Sequence, residues 1–205
     1  MNRAIQTQLI PVVELAPGTV ARIRNEVIAQ VVAMASAELN RPPEDFVVRD
    51  IRPQDDLDWL STTDVVTSAI TTETWIGTSD DSKVYGQFKG AITSASTVMA
   101  DNRWIAIYGV KDMRSALATI VEPALSMLKF EVGGNDRAIW DLMNMYAYPN
   151  AMAAVSPSAI IIPQNTGFQI YVYGGLSDDG ASTDVAQYIV LEGVVVEPRG
   201  KVLSP

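Results

Sequence analysis

Residues 155–198 constrain the chain most. They hold three apolar runs rich in Ile, Val and Tyr, broken by Pro163-Gln164-Asn165-Thr166-Gly167 and by a Gly/Ser/Asp cluster over 174–180. Such residues suit a pleated, half-buried surface. Breakers at both ends of each run mark strands joined by turns. Apolar runs recur about every ten residues elsewhere too, the spacing of a sandwich or barrel. The expected fold class is therefore all-β with minor helix, an antiparallel β-sandwich.

Of 205 residues, 48% are hydrophobic, enough for one large core. The net charge of −9 disfavours a nucleic-acid groove, and no run of Lys or Arg offsets it. With no Cys and no His, the chain has no thiol or imidazole chemistry, no zinc site of the usual kind and no disulfide. A metal would have to be a hard cation on oxygen ligands. No apolar run is long enough for a membrane helix, and the start lacks the layout of a secretory signal. The chain reads as a soluble product of the cytosol.

Taken in order, residues 5–15 read as an edge strand or arm interrupted by Pro11. Over 20–39, Val20, Ile23, Val27, Val31, Met34 and Ala35 recur at helical spacing, with Thr19 as the expected N-cap. The β-branched content there also allows a strand followed by a helix. Phe46 to Ile51 predict a short strand, Trp104 to Tyr108 a buried one, and Val84 to Lys89 alternate like a strand. Residues 61–82 favour strands or extended loops, and 110–121 fit either a helix or a loop and strand. Residues 124–132 alternate up to a Gly133-Gly134-Asn135-Asp136 turn. Residues 137–148 fit a helix and a strand equally. Late strands are expected over 159–162, 167–173 and 187–196. The domain plan is an extended N-terminal arm (1–18), one β-sandwich (19–198) with a helical insertion near 19–39, and a tail (199–205). The exposed tail signals begin at Glu197.

Motifs for chemistry are sparse. Asp55, Asp56 and Asp58 lack the Gly and distal Glu of a calcium loop, so they read as a solvated turn. Ser79-Asp80-Asp81 and Ser177-Asp178-Asp179-Gly180 read as plain turns before calcium sites. Gly133-Gly134 and Gly174-Gly175 lack the helix and Lys of a phosphate cradle. Asp50, Glu73, Glu131, Glu192 and Glu197 are candidate carboxylate pairs, a signal without value until geometry is known. Trp59, Trp75, Trp104 and Trp140 fit core filling better than a sugar platform. Met143, Met145 and Met152 fit packing. No catalytic, cofactor-binding or metal residue is assigned.

PSAIIIPQNTGFQIYVYG and YIVLEGVVVEPRGKV, preceded by SMLKFEVGGNDRAIWDLMNMY, resemble the carboxyl-terminal strands of single jelly-roll capsid proteins of phages and archaeal viruses. The resemblance covers about residues 120–198. It implies eight strands in two facing sheets, self-association about symmetry axes, and ends (1–17 and 197–205) that reach neighbouring subunits. The helical stretch 19–39 departs from a minimal jelly roll. The expected function is a structural, self-assembling virion component, not an enzyme, made in the host cytoplasm. Its partners would be its own copies and other virion proteins. The alternative is a carbohydrate-binding or cell-surface β-sandwich module, using Trp75 or Tyr171 and Tyr173 on a flat face. A third reading, a carboxylate enzyme, needs two acids converging in a cleft.

Overall fold

The computed structural model describes residues 5–6, 8–51, 57–58, 73–76, 87–88, 92–93, 97–112, 127–146, 153–173 and 189–200. In chain order the strands are β1 (Ile5–Gln6), β2 (Ile10–Pro11), β3 (Phe46–Asp50), β4 (Leu57–Asp58), β5 (Glu73–Ile76), β6 (Gln87–Phe88), β7 (Ile92–Thr93), β8 (Thr97–Val98), β9 (Trp104–Asp112), β10 (Met127–Val132), β11 (Asn135–Asp141), β12 (Ala153–Ile162), β13 (Phe168–Tyr173) and β14 (Ile189–Pro198). Helix α1 (Thr19–Leu39) follows β2, and the single turn α2 (Met143–Tyr146) follows β11.

Two five-stranded sheets carry the body: β1-β11-β10-β13-β5 (sheet A) and β2-β12-β9-β14-β3 (sheet B). All pairings in them are antiparallel except β1 with β11. The chain is thus all-β with minor helix. From β3 onward it changes sheet at nearly every step, β3 in B, β5 in A, β9 in B, β10 and β11 in A, β12 in B, β13 in A, β14 in B. β4–β6 and β7–β8 form separate two-stranded ladders.

Alternation builds the core between the sheets. In β10, Leu128, Phe130 and Val132 are buried while Met127, Lys129 and Glu131 between them are half-buried, the split that period-two side chains produce. Phe130 meets Trp140 edge-on, ring centroids 4.6 Å apart, among Ile105, Ile107, Ile160, Ile162, Phe168 and Val195. The β10–β11 hairpin turns on Gly133 (φ 62°) and Gly134 (φ 70°), both left-handed as a tight hairpin turn requires. Residues 137–148 contain both expected elements in succession, strand to Asp141 and then the helical turn.

Bulges re-aim β9. Glu192 pairs Gly109 and Gly193 pairs Ile107, which leaves Tyr108 unpaired against β14. On the other side Val155 pairs Gly109 and Ile160 pairs Ile107, so 156–159 loop out of the ladder. Ser156 closes that loop by donating to the Ser158 carbonyl at 2.8 Å. The extra residue inverts the phase of β9: Ile105 and Ile107 face sheet A, and so does Val110.

The other face of sheet B is covered by α1. Ile23, Val27, Val31 and Ala35 are buried against Trp104, Ala106, Tyr108, Val155, Val194 and Val196. Each buried Ile or Val contributes roughly 1.5–3 kcal/mol. The half-exposed Arg24–Asp50 bridge from helix to β3, 2.8 Å long, contributes at most about 1 kcal/mol. The apolar stripe therefore drives docking, and the ion pair sets where the helix lies. The helix is continuous, so the strand-then-helix alternative does not apply. Its N-cap is Gly18 (φ 84°), not Thr19, with no side-chain cap. The Pro17-Gly18 turn lets the backbone enter the helix directly, and Thr19 is its first residue.

The N-terminal stretch is tied to the body in both sheets. β1 lies along β11, β2 along β12, and Leu9 between them is buried in the inter-sheet core. At the other end, Glu197 lies within a strand and not in an exposed tail. Glu197 and Pro198 belong to β14, and Glu197 is only 5% exposed. Pro198 fits because it stands opposite Phe46 where its missing N–H would point away from β3.

Trp104 and Trp140 are both fully buried, as core residues. Trp104 donates its indole N–H to Glu38 at 3.0 Å, whereas the Trp140 N–H has no partner. Removing an unpaired buried donor sacrifices no hydrogen bond. Trp140→Phe is expected to change the unfolding free energy by about 1 kcal/mol or less, and Trp104→Phe to lower it by roughly 1.5–3 kcal/mol. Urea unfolding of the two variants side by side checks the order.

Candidate functional site

Among the described residues, four groups of interacting charged and polar side chains stand out. Beneath α1, Arg24 donates from Nε to Asp50 at 2.9 Å, and Lys111 pairs Glu192 across β9 and β14. Tyr108 lies among them. Burial, then the Glu192 and Asp50 carboxylates, push its phenol up to about 12. The hydrogen bond to Asp50 raises the Arg24 guanidinium above its ordinary value.

A phenol held neutral in the fold contributes stability that is fully present below its unfolded value, near 10, and lost as pH climbs through about 12. Urea unfolding across that window should show the wild type losing stability more steeply than Tyr108→Phe. Equal slopes would mean that the phenol is not the group responsible.

The second group lies on the inter-sheet side of sheet B, at one end. Residue 197 has the same parity as Leu191 and Val195, so its side chain points inward. There the Glu197 carboxylate accepts from Arg103 Nε at 2.6 Å and faces an Arg49 amino group at 3.5 Å. Both cations are mostly buried, with side chains 14% and 22% exposed. The register explains the grouping: β14 runs between β3 and β9, which deliver one arginine from each side.

The third group ties two turns together. The Asn102 amide N–H donates to the Gln164 side chain at 2.8 Å, and Gln164 donates to Glu38 at 3.1 Å. Asn165 donates to Asp101 at 3.2 Å. Asn102 (φ 58°) and Asn165 (φ 54°) take the left-handed turn positions that asparagine tolerates. This network joins the helix end to the loops at one end of the sandwich.

The fourth group is on the outer face of sheet A, which no described helix covers. Lys129 pairs Asp136 at 3.1 Å and sits 4.7 Å from the centre of the Tyr171 ring. The Tyr171 hydroxyl donates to Gln169 and lies 3.5 Å from Glu131. Burial, then Glu131, raise its phenol. Around it this face is polar and half-buried.

Among the described residues the candidate carboxylates do not assemble into one cleft. Glu131 is outside sheet A, Asp50 and Glu192 are under α1, and Glu197 is between the sheets, each beside a cation or hydrogen-bond donor. The Glu73 side chain lies outside the described residues. So do Asp55, Asp56, Trp59, the 79–81 and 177–180 turns, Gly174-Gly175, Met152, the Val84–Gly86 part of the alternating stretch, and residues 113–121. Among the described residues no set of three Asp or Glu could hold a metal, and no helix could cross a membrane. Met145 is buried and Met143 exposed, so they form no continuous stripe. Sequence reading missed the Glu197 group, because the Pro198 and Gly200 signals pointed to a tail. The preceding Val194-Val195-Val196, apolar and buried at every position, carries no alternation from which an inward-facing residue 197 could be read.

What the geometry offers beyond these closed networks is a sheet face that no described helix covers and sheet edges that no described strand pairs. No known family model and no characterised protein sequence matches the chain.

Proposed function

We propose that this protein is a structural subunit that assembles with copies of itself, as a single jelly-roll component of a virion. The observation that carries the reading is strand order. Without the short N-terminal strands, the sheets run β3-β14-β9-β12 and β5-β13-β10-β11. Eight strands folded as two interleaved Greek keys across two sheets define the jelly roll, a fold recurrent in capsid proteins. Internally neutralised charges and a helix that covers one sheet face leave, among the described residues, sheet edges and one face without a covering element for contacts. In an assembled shell such surfaces meet neighbouring subunits through many modest interfaces.

Light scattering over a range of concentrations tests the reading. The expected result is a species of several times 22.2 kDa, with particles visible in the native source. A strict monomer at high concentration would count against it.

Jelly rolls also serve as lectin domains. The open face of sheet A, with Tyr171 beside Gln169 and Glu131, favours carbohydrate binding as the second reading. Glycan-array binding lost on Tyr171→Ala, by a protein that stays monomeric, would select it.

A further inference from the structure

We propose that the outer edge of β3 is a docking edge for β3 of a second copy, the two strands pairing antiparallel about Val48. The proposal rests on the self-assembly reading and names the contact.

The four sheet edges are not alike. β1 and β2 are two residues each, and β2 carries Pro11. β5 has four residues, and its register against β13 breaks between Ile170 and Tyr171. β3 is the longest, five residues in unbroken register with β14. Natural edges are protected by Pro, Lys and other charges, bulges or shortness. β3 has no Pro, Lys or bulge, and among the described residues no strand pairs with its outer side. Its two charges are neutralised within the chain, Arg49 by Glu197 and Asp50 by Arg24.

Parity then determines what the edge presents. The Ile51 amide bonds the Gly193 carbonyl at 3.0 Å, and the Arg199 amide bonds the Asp45 carbonyl at 2.8 Å. Residues 45, 47, 49 and 51 therefore face β14, and 46, 48 and 50 face outward. The Phe46 N–H already closes the preceding turn on Pro43. What remains is the Phe46 carbonyl and both backbone groups of Val48 and of Asp50, whose carbonyl stays at the rim of the contact.

This pattern complements itself. Centred on Val48, each Val48 N–H reaches the other copy's Val48 carbonyl, and each Asp50 N–H reaches the other copy's Phe46 carbonyl. Arg49 stands opposite Val47 of the second copy, and no like charges oppose one another. The neighbouring two-fold register, centred on residue 49, sets Arg49 against Arg49, which disfavours it. The contact uses the same patch twice and closes as a two-fold rather than propagating into a fibre. It adds a strand across the subunit boundary and joins the two B sheets into one.

The lack of native cysteine makes the test direct. Directly opposed residues in such a hydrogen-bonded pair have Cα atoms about 5.5 Å apart, inside the range a disulfide spans. Under mild oxidation, Val48→Cys is expected to give a covalent dimer several-fold faster than Gln30→Cys on the exposed side of α1. Val48→Pro removes an outward N–H that β14 does not use, so it should keep the fold and weaken assembly. Thermal unfolding reports whether it folds, and the cysteine pair decides if it does not. If the wild type assembles while Val48→Cys cross-links no faster than Gln30→Cys, or folded Val48→Pro assembles normally, the β3 contact is overturned and the assembly reading survives. A wild type that stays monomeric overturns both.

Discussion

Replacing Glu197 by alanine should lower the unfolding free energy by about 3–5 kcal/mol. The carboxylate is almost fully buried between Arg103 and Arg49. Its removal leaves two guanidinium charges facing each other in a region that water reaches poorly. The cost arises from what is left behind, because a complete buried ion cluster contributes little net stability over apolar packing. Two further measurements separate these effects. Glu197→Gln, which keeps the shape and hydrogen-bonding oxygen but not the charge, should recover only part of the loss. A double-mutant cycle with Arg103→Met should show strong coupling, since both substitutions break the same buried ion pair. Urea unfolding supplies all of these values. A loss below about 1 kcal/mol for Glu197→Ala would place the cluster with ordinary surface ion pairs.

Gly193→Ala should be about as damaging, through sterics. A Cβ on Gly193 would run into the Ala106 carbonyl of the neighbouring strand and approach Ile51 Cδ1 to 2.6 Å. Ile51 can move, but the carbonyl belongs to the β9 backbone. Overpacking a core costs typically 1–3 kcal/mol, and a rigid obstacle places this site at or above about 3 kcal/mol. Gly109→Ala meets the Ala154 carbonyl at 2.7 Å and should follow closely. Gly200→Ala, with open space around it, should stay within about 0.5 kcal/mol of wild type. Thermal or urea unfolding of the three variants tests the order. Shortening Ile51 in the Gly193→Ala background should restore little if the backbone carbonyl is the main obstacle.

These two glycines also show where sequence reading stops. Patterns that live on a single strand were legible. The helical stripe from Ile23 to Ala35, the alternation of β10 and the Gly133-Gly134 turn each record local geometry, and each was read with the right element type. The bulges were not legible, because a bulge is defined by the partner. Nothing local to Ser156-Pro157-Ser158 says that 156–159 loop out opposite Tyr108. For the same reason β9 extends past the predicted Tyr108 to Asp112, and β12 begins at Ala153 rather than Ala159. Residues 137–148 resisted a single assignment because they are two elements. The Glu197 group was hidden by a proline and a glycine that do end a strand, but one or two residues later. Charged groups joined across β3, β9 and β14 are separated by dozens of residues, so no spacing rule could have found them.

The position of β14 has a consequence for synthesis. It is the last in sequence of the described strands, yet it lies inside its sheet, between β3 and β9. Until residues 189–198 leave the ribosome, β3 has no neighbour in that sheet, and half of the surface beneath α1 is missing. The first strands wait almost as long, since Ile5 pairs Ala138 and Ile10 pairs Val155. Contacts this distant along the chain slow folding. A growing polypeptide of this kind therefore stays incompletely folded until residues 189–198 have emerged, and its β3 edge becomes part of a stable surface only after that.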